Sequence, residues 1–246
     1  MTDKTRKVAI VTGASRGIGA AIAERLAGDG FAVVVNYSAS AGPAEALAGK
    51  IKSNGGSAFA IRADVADSAS MRAMFEATEK AFGGIDALVN NAGIMALAKV
   101  ADSDDAMLDR QIAVNLKGTF YGMREAARRM RDGGRIVNFS TSVVGTKLET
   151  YSVYAATKAA VETMTAILAK ELRGRNITVN AVAPGPVETE LFLEGKSPEL
   201  VERMAKMNPM ERLGMPEDIA SVVSFLLGPD GGWVNGQVLR ANGGLV

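Results

Sequence analysis

Tyr154 and Lys158 stand four residues apart in a segment whose apolar residues recur at helical spacing, so both side chains fall on one face, one turn apart. That spacing alone is common and usually means a half-buried aromatic beside a solvated charge. Its weight comes from its neighbours. The hydroxyls Ser140-Thr141-Ser142 precede Tyr154 by twelve to fourteen residues, Asn90-Asn91-Ala92-Gly93 lies further upstream, and Asn115 falls between the two groups. The chain contains no histidine and no cysteine. That removes Ser-His-Asp catalysis, thiolate chemistry, disulfides and the commonest metal ligand, and no metal site is expected. No other side chain is an obvious acid–base group.

A second chemical feature sits near the N-terminus. Gly13-Ala14-Ser15-Arg16-Gly17-Ile18-Gly19 follows a short β-branched run and leads into a segment with the apolar stripe Ile18, Ile22, Leu26. A glycine-rich turn between a first strand and a helix lets backbone amides approach a pyrophosphate, with the helix N-terminus facing the negative charge. The spacing G-x-x-x-G-x-G differs from the commoner G-x-G-x-x-G, and a glycine cluster by itself could be a plain tight turn. The next strand ends Asn36-Tyr37-Ser38, without the Asp or Glu that holds a ribose 2′-hydroxyl in NAD binders. Arg16 in the glycine loop supplies a guanidinium for a 2′-phosphate, so NADP(H) is expected over NAD(H).

These groups need a frame. Short β-branched runs occur at 8–12, 32–36, 58–62, 87–90, 135–140, 178–183 and 237–240. Between them lie helical stripes such as Met71, Met74, Phe75 and Val161, Met164, Ile167, Leu168. Strands alternating with helices predict an α/β, single-domain, doubly wound Rossmann fold: a seven-stranded parallel sheet flanked by helices. Its strand ends open onto one edge, where ligands bind. The stretch 186–210 breaks the rhythm, carries Pro198 and Pro209, and is expected to be a substrate lid.

At 246 residues, 48% of them hydrophobic, the chain can bury a sizeable core as one unit. A formal net charge of +1 argues against a broad surface for nucleic acid or anionic membrane. No apolar run suits a signal peptide or a membrane span, and a cytoplasmic protein is expected.

Residues 12–19, Asp64-Val65, 90–93, Asn115, Ser142, Tyr154-x-x-x-Lys158 and Pro184-Gly185, in this order and spacing, resemble the short-chain dehydrogenase/reductase family over nearly the whole chain. The segment 212–218 (Arg-Leu-Gly-Met-Pro-Glu-Asp) and the closing Gly236-Gln237 and Gly243-Gly244 are similar to the branch that includes 3-oxoacyl-carrier-protein reductases and glucose-dehydrogenase-like enzymes. The resemblance implies hydride transfer between a nicotinamide and a carbonyl or secondary alcohol carbon, with catalytic Asn115, Ser142, Tyr154 and Lys158. The gap from Ser142 to Tyr154 is twelve residues, one shorter than is usual for the family. Ser142-Val143-Val144-Gly145 nevertheless matches the family's serine motif better than Ser140 does, which selects Ser142.

The implied roles are chemically sensible. A phenol ionises near pH 10, poorly matched to neutral proton transfer. Lys158⁺ together with an oxidised nicotinamide would favour the phenolate, a downward move worth roughly 3–4 kcal/mol. Ser142 would donate to the carbonyl oxygen. Lys158 would also hold the nicotinamide ribose, and Asn115 would anchor a relay water. The family's cofactor contacts fall on Gly13, Ser15, Arg16, Gly17, Ile18, Gly19, Asn36, Tyr37 and Ser38. They continue through Asp64, Val65, Asn91, Ala92, Gly93, Tyr154, Lys158, Pro184, Gly185, Val187 and Thr189. Substrate is expected against Met95, Ser142, Val144, Leu148, Tyr151, Glu188, Leu191 and Phe192, a mostly apolar set that suits a hydrophobic or aryl ketone.

Three other readings compete. A scaffold or nucleotide sensor that has lost its chemistry is opposed by the intact set of four. A sugar-nucleotide epimerase would need more than the 88 residues that follow Lys158. A carrier-protein reductase would want a basic docking face, for which Arg124, Arg128, Arg129 and Arg131 are candidates, although a solvated helix exterior is the simpler meaning. The helices at roughly 103–131 and around Tyr154, with the segment 233–246, suggest a homotetramer of dihedral symmetry.

Overall fold

The computed structural model describes residues 6–246. Seven strands, β1 (Val8–Val11), β2 (Ala32–Tyr37), β3 (Ser57–Arg62), β4 (Ala87–Asn90), β5 (Arg135–Phe139), β6 (Thr178–Pro184) and β7 (Val238–Ala241), form one sheet in the order β3-β2-β1-β4-β5-β6-β7. Every pairing is parallel. The order reverses between β1 and β4, so the crevice beyond their carboxyl ends is the topological switch point.

The crossovers are α1 (Gly17–Gly28), α2 (Ala41–Ser53), α3 (Ser68–Phe82), the paired α4 (Asp105–Gln111) and α5 (Gly118–Arg129), α6 (Val143–Thr146) and α7 (Ser152–Glu171). Past β6 come α8 (Glu190–Leu193), α9 (Pro198–Lys206) and α10 (Pro216–Leu227). Strand side chains alternate between the two faces. Ala9, Val11, Val33 and Val35 pack with Ile22 and Leu26 of α1, Leu47 and Ile51 of α2, and Ile219 and Val223 of α10. Ile10, Val34, Leu88 and Ile136 pack with Met71, Met74 and Phe75 of α3, Met123 of α5 and Leu168 of α7. Each such large side chain contributes about 1.5–3 kcal/mol on burial. Local signals set the ends: Asp67 caps α3 by accepting from the Ala69 and Ser70 amides, and Gly83 closes it at φ +83°.

Three expectations change. Ile167 belongs to the expected stripe yet is half exposed, because α7 turns it one position off the face that holds Leu168 against the sheet. The helix expected at 103–131 is interrupted by a π-helical segment, Ile112–Lys117. The stretch 186–210 is helical in part, through α8 and α9, and Val187 pairs with Gly214 at its base.

Candidate active site

The chain leaves β1 and enters α1 through a loop that needs glycine. Gly13 and Gly17 adopt φ +62° and +56°, a region costly to other residues. A Cβ at Gly19 would stand 2.4 Å from the Gly13 carbonyl oxygen and 2.6 Å from Asn91 Nδ2. α1 begins without a side-chain cap and without an acidic residue in its first turn, so its N-terminal amides suit an anion.

Side chains lock this cradle from behind. Asn91 Nδ2 donates to the Thr12 and Gly13 carbonyls at 2.9 and 3.1 Å. The Asn91 and Ala92 amides donate to Thr12 Oγ1. Asn36 is 1% exposed; its Oδ1 accepts the Gly13 amide at 3.1 Å and its Nδ2 donates to the Ala63 carbonyl at 3.0 Å. Asn36 therefore borders the cavity as a brace between loops, and Tyr37 and the exposed Ser38 are the β2-end positions nearer solvent. Asp64 and Val65 line the cavity beyond β3, with Asp64 Oδ1 accepting the Ala66 amide.

The same cavity, about 710 Å³, runs on to the chemistry. Lys158 and Tyr154 project from the first turns of α7. Lys158 is 3% exposed, and its Nζ donates to the Phe139 carbonyl at 2.8 Å and lies 5.9 Å from the Tyr154 ring centre. A Cβ at Gly93 would be 3.5 Å from that Nζ, so glycine leaves room beside the ammonium. Burial pushes the Tyr154 phenol up to about 12, although a hydrogen bond with Thr141 opposes the rise. Burial brings Lys158 down to about 8. The expected lowering of the phenol is thus not a property of the protein's own groups: the ammonium faces a backbone carbonyl and the ring, and desolvation dominates.

Asn115 is fully buried in the π-helical segment and does not border the cavity. Its amide group pairs with both the N–H and the carbonyl of Ile94 at 2.9 Å and reaches Thr157 Oγ1 at 3.3 Å. It fastens the loop after β4 to α7. Ser142, 2% exposed, accepts from Asn242 Nδ2 at 2.9 Å and donates to the Ala183 carbonyl at 3.2 Å.

Over the mouth, Thr189 caps α8 by accepting the Phe192 amide, and its methyl lies 3.4 Å from where a Gly17 Cβ would sit. Arg16 Nη1 meets Glu190 Oε2 at 2.8 Å, both side chains exposed. Glu188 borders the rim with its side chain in solvent while its amide donates to the Gly214 carbonyl. Pro184, Gly185 and Val187 line the floor between β6 and α8; a Gly185 Cβ would stand 2.9 Å from Asn242 Cα. Met95, Leu148, Tyr151, Leu191 and Phe192 form an apolar wall, with the Tyr151 and Tyr154 rings edge to face at 6.4 Å.

All the expected cofactor positions border this cavity, and so do the expected substrate positions except Val144. The side chain of its neighbour Val143 takes that place, because the single turn of α6 rotates Val144 away. Sequence reasoning missed Thr141, Met204, Met207 and Leu245. Met204 on the amphipathic α9 and Met207 at its C-terminal cap, three residues apart, could have been flagged by that spacing; Leu245 has no local signal. The arginines on and just past α5 are paired: Arg129 with Glu76, Glu79 and Glu125, Arg131 with Asp86, and Arg124 and the exposed Arg128 with Glu125.

A parallel sheet with an anion cradle at its switch point, and a buried tyrosine and lysine over the same cavity, defines a dinucleotide-dependent oxidoreductase. Comparison with known proteins narrows this. A family model described as enoyl-(acyl carrier protein) reductase matches residues 13–246. The chain is 48% identical to a short-chain type dehydrogenase/reductase of Picea abies, covering 98% of this chain and 92% of that relative. It is 44% identical to an NADPH-dependent aldehyde reductase-like protein, chloroplastic, of Arabidopsis thaliana, covering 98% and 94%. The solved short chain dehydrogenase of Burkholderia cenocepacia in complex with NADP superposes with a TM-score of 0.93 at 38% identity, covering 99% of both chains. The protein belongs to the short-chain dehydrogenase/reductase family.

Proposed function

We propose that this protein is an NADP(H)-dependent reductase of hydrophobic ketones and aldehydes. The observation that carries the reading is one cavity that joins the glycine cradle to the buried Tyr154 phenol and has an apolar wall beyond it. Relatives named for NADPH, and a neighbour solved with NADP, support the choice of cofactor.

Bound NADPH supplies the hydride for the carbonyl carbon. The loop 13–19 and the start of α1 would hold the pyrophosphate, Arg16 would meet a 2′-phosphate, and Asp64 and Val65 would border the adenine. Asn91, Ala92 and Gly93 would flank the middle of the cofactor, and Pro184, Gly185, Val187 and Thr189 would take the carboxamide. Lys158 would hold ribose hydroxyls, and its Nζ, 5.9 Å from the Tyr154 ring centre, places an ammonium near the phenol. As the carbonyl π pair moves onto oxygen, Tyr154 gives its proton to that oxygen, and the phenolate regains one from solvent. Asn115 keeps the Ile94 loop and α7 in register. Met95, Leu148, Tyr151, Leu191 and Phe192 receive the apolar part of the substrate. The test is NADPH oxidation against a panel of aryl ketones and aldehydes, with NADH in parallel; a tenfold preference for NADH in kcat/KM would sink the cofactor assignment.

We propose further that the enzyme is a cytoplasmic homotetramer. Phe120 on α5, Ile167 on α7 and Trp233 are exposed, the last at 98%, and large apolar groups in solvent suit subunit contacts. Light scattering at micromolar protein is the check, and a monodisperse monomer contradicts it.

A further inference from the structure

We infer that Asn242, just past β7, is a positioning residue that holds the Ser142 hydroxyl ready to donate to the substrate oxygen. This rests on the carbonyl-reductase reading above, with Ser142 giving a hydrogen bond to the carbonyl oxygen. The two residues lie 100 positions apart in sequence, and Asn242 Nδ2 meets Ser142 Oγ at 2.9 Å in a buried contact.

An asparagine amide can face a hydroxyl with its N–H or with its oxygen, and the choice decides where the hydroxyl's one proton goes. Here the neighbours make that choice. Gly243 and Gly244 adopt φ +66° and +88°, a turn open to glycine. It brings the Gly244 amide back to donate to Asn242 Oδ1 at 3.0 Å. The Val246 carbonyl accepts from Nδ2 at 3.1 Å. With Oδ1 held by a donor and one N–H held by an acceptor, Ser142 meets the second N–H. Ser142 Oγ must therefore accept, and its own proton is left for another partner. That partner is the Ala183 carbonyl at 3.2 Å, longer than the roughly 2.5–3.0 Å of an O–H···O bond. So weak a resting contact gives way to a better acceptor, and Ser142 borders the cavity that would receive the substrate carbonyl.

The backbones are fixed as well. The Ser142 amide donates to the Pro184 carbonyl at 2.9 Å, and the Gly185 amide to the Ala241 carbonyl at 3.0 Å. A Cβ at Gly185 would stand 2.9 Å from Asn242 Cα. Both residues are thus pinned to the end of β6, and the hydroxyl is the part left to turn. In the reaction, hydride adds to the carbonyl carbon and the π pair moves to oxygen. Ser142 swings its O–H from Ala183 to that oxygen and keeps its proton. The new O–H bond takes its proton from Tyr154. Asn242 exchanges no proton; its N–H stays on Ser142 Oγ, so the hydroxyl pivots about a fixed oxygen.

The experiment is a double-mutant cycle between Asn242→Ala and Ser142→Ala in the full-length enzyme. It is repeated with Asn242→Asp, which keeps the shape and puts an acceptor where the N–H was. Single-turnover reduction of an aryl ketone, NADPH dissociation constant and Tm are read for each. Ser142→Ala should lose about 10²–10³-fold in rate, as removal of one oxyanion donor does. Asn242→Ala should lose roughly 3–10-fold, in line with one hydrogen bond, with NADPH binding retained. Asn242→Asp should lose at least as much, because a carboxylate draws the Ser142 proton to itself. With Ser142 already replaced, either Asn242 change should lower the rate by less than about twofold more, since nothing is left to position. A merely structural Asn242 would lower the rate by the same factor in both backgrounds; that additivity overturns the inference, as does full turnover in Asn242→Asp. If one Asn242 variant fails to fold, the cycle closes with the other. Full turnover in Ser142→Ala sinks the underlying reading instead, whatever Asn242 does.

Discussion

The two ends of the cavity are built on opposite principles. At the cofactor end the ligand-facing surface is mostly backbone, held by side chains whose hydrogen bonds are complete: Thr12, Asn36 and Asn91 all point into the protein and brace the loop. At the chemistry end the ligand-facing groups are themselves titratable and buried, and burial pushes both away from their charged forms. The cradle is therefore rigid because its polar groups are satisfied. The chemistry end is reactive because Tyr154 and Lys158 are held where their charges are unfavourable. Substitutions at the first end should act on binding and stability together; those at the second should separate rate from stability.

The sharpest test of that division is Tyr154→Phe, which removes one oxygen. Single-turnover rate should fall by about 10²–10⁴-fold, while the NADPH dissociation constant and the Tm stay close to those of the unaltered enzyme. Parallel loss of cofactor binding would erase the distinction between the ends.

Gly19→Ala attacks the other end. Its Cβ would meet backbone and amide atoms at 2.4 and 2.6 Å, and neither can retreat without opening the loop. Destabilisation of about 1–3 kcal/mol is expected, together with weaker NADPH binding, read by chemical denaturation and fluorescence titration.

Lys158→Met should do the reverse of a cradle mutation: abolish turnover yet stabilise the cofactor-free protein at neutral pH, by roughly 1–3 kcal/mol. The sign follows from the depressed lysine, which ionises near 8 in the fold against 10.5 in the open chain. Between those values the unfolded chain binds more protons, so native stability rises with pH. The advantage of methionine should accordingly shrink from pH 8 to 10.5 in urea melts, and an advantage that grows over that window contradicts the burial argument.

Asn36→Asp separates bracing from recognition. A carboxylate loses the donor to the Ala63 carbonyl, so the variant should be destabilised by about 1–3 kcal/mol without a clean change of cofactor. A carboxylate at exposed Ser38 should instead lower the kcat/KM preference for NADPH over NADH and leave the Tm alone. The smallest effect is expected for Glu190→Gln, which breaks an exposed ion pair with Arg16 worth under about 1 kcal/mol. Its Tm should be unchanged.

Much of this molecule is written in local pattern. The seven strands fall within two residues of the β-branched runs, and the inner ones are apolar almost throughout because they are buried on both faces. The glycine cradle is legible because φ near +60° and contacts near 2.4 Å are requirements on one residue type. Tyr154 and Lys158 share a face through helical geometry alone. The tertiary structure decided what depends on partners distant in sequence. Asn36 became a brace because Ala63 and Gly13 converge on it, and Asn115 lies behind the wall because Ile94 claims its amide. Ser140 and Ser142, two positions apart at the end of β5, are held by Glu162, Ala183 and Asn242, up to 100 residues away. A hydroxyl's type is a property of the chain; the direction of its proton is a property of the fold, because one donor can serve only one acceptor at a time.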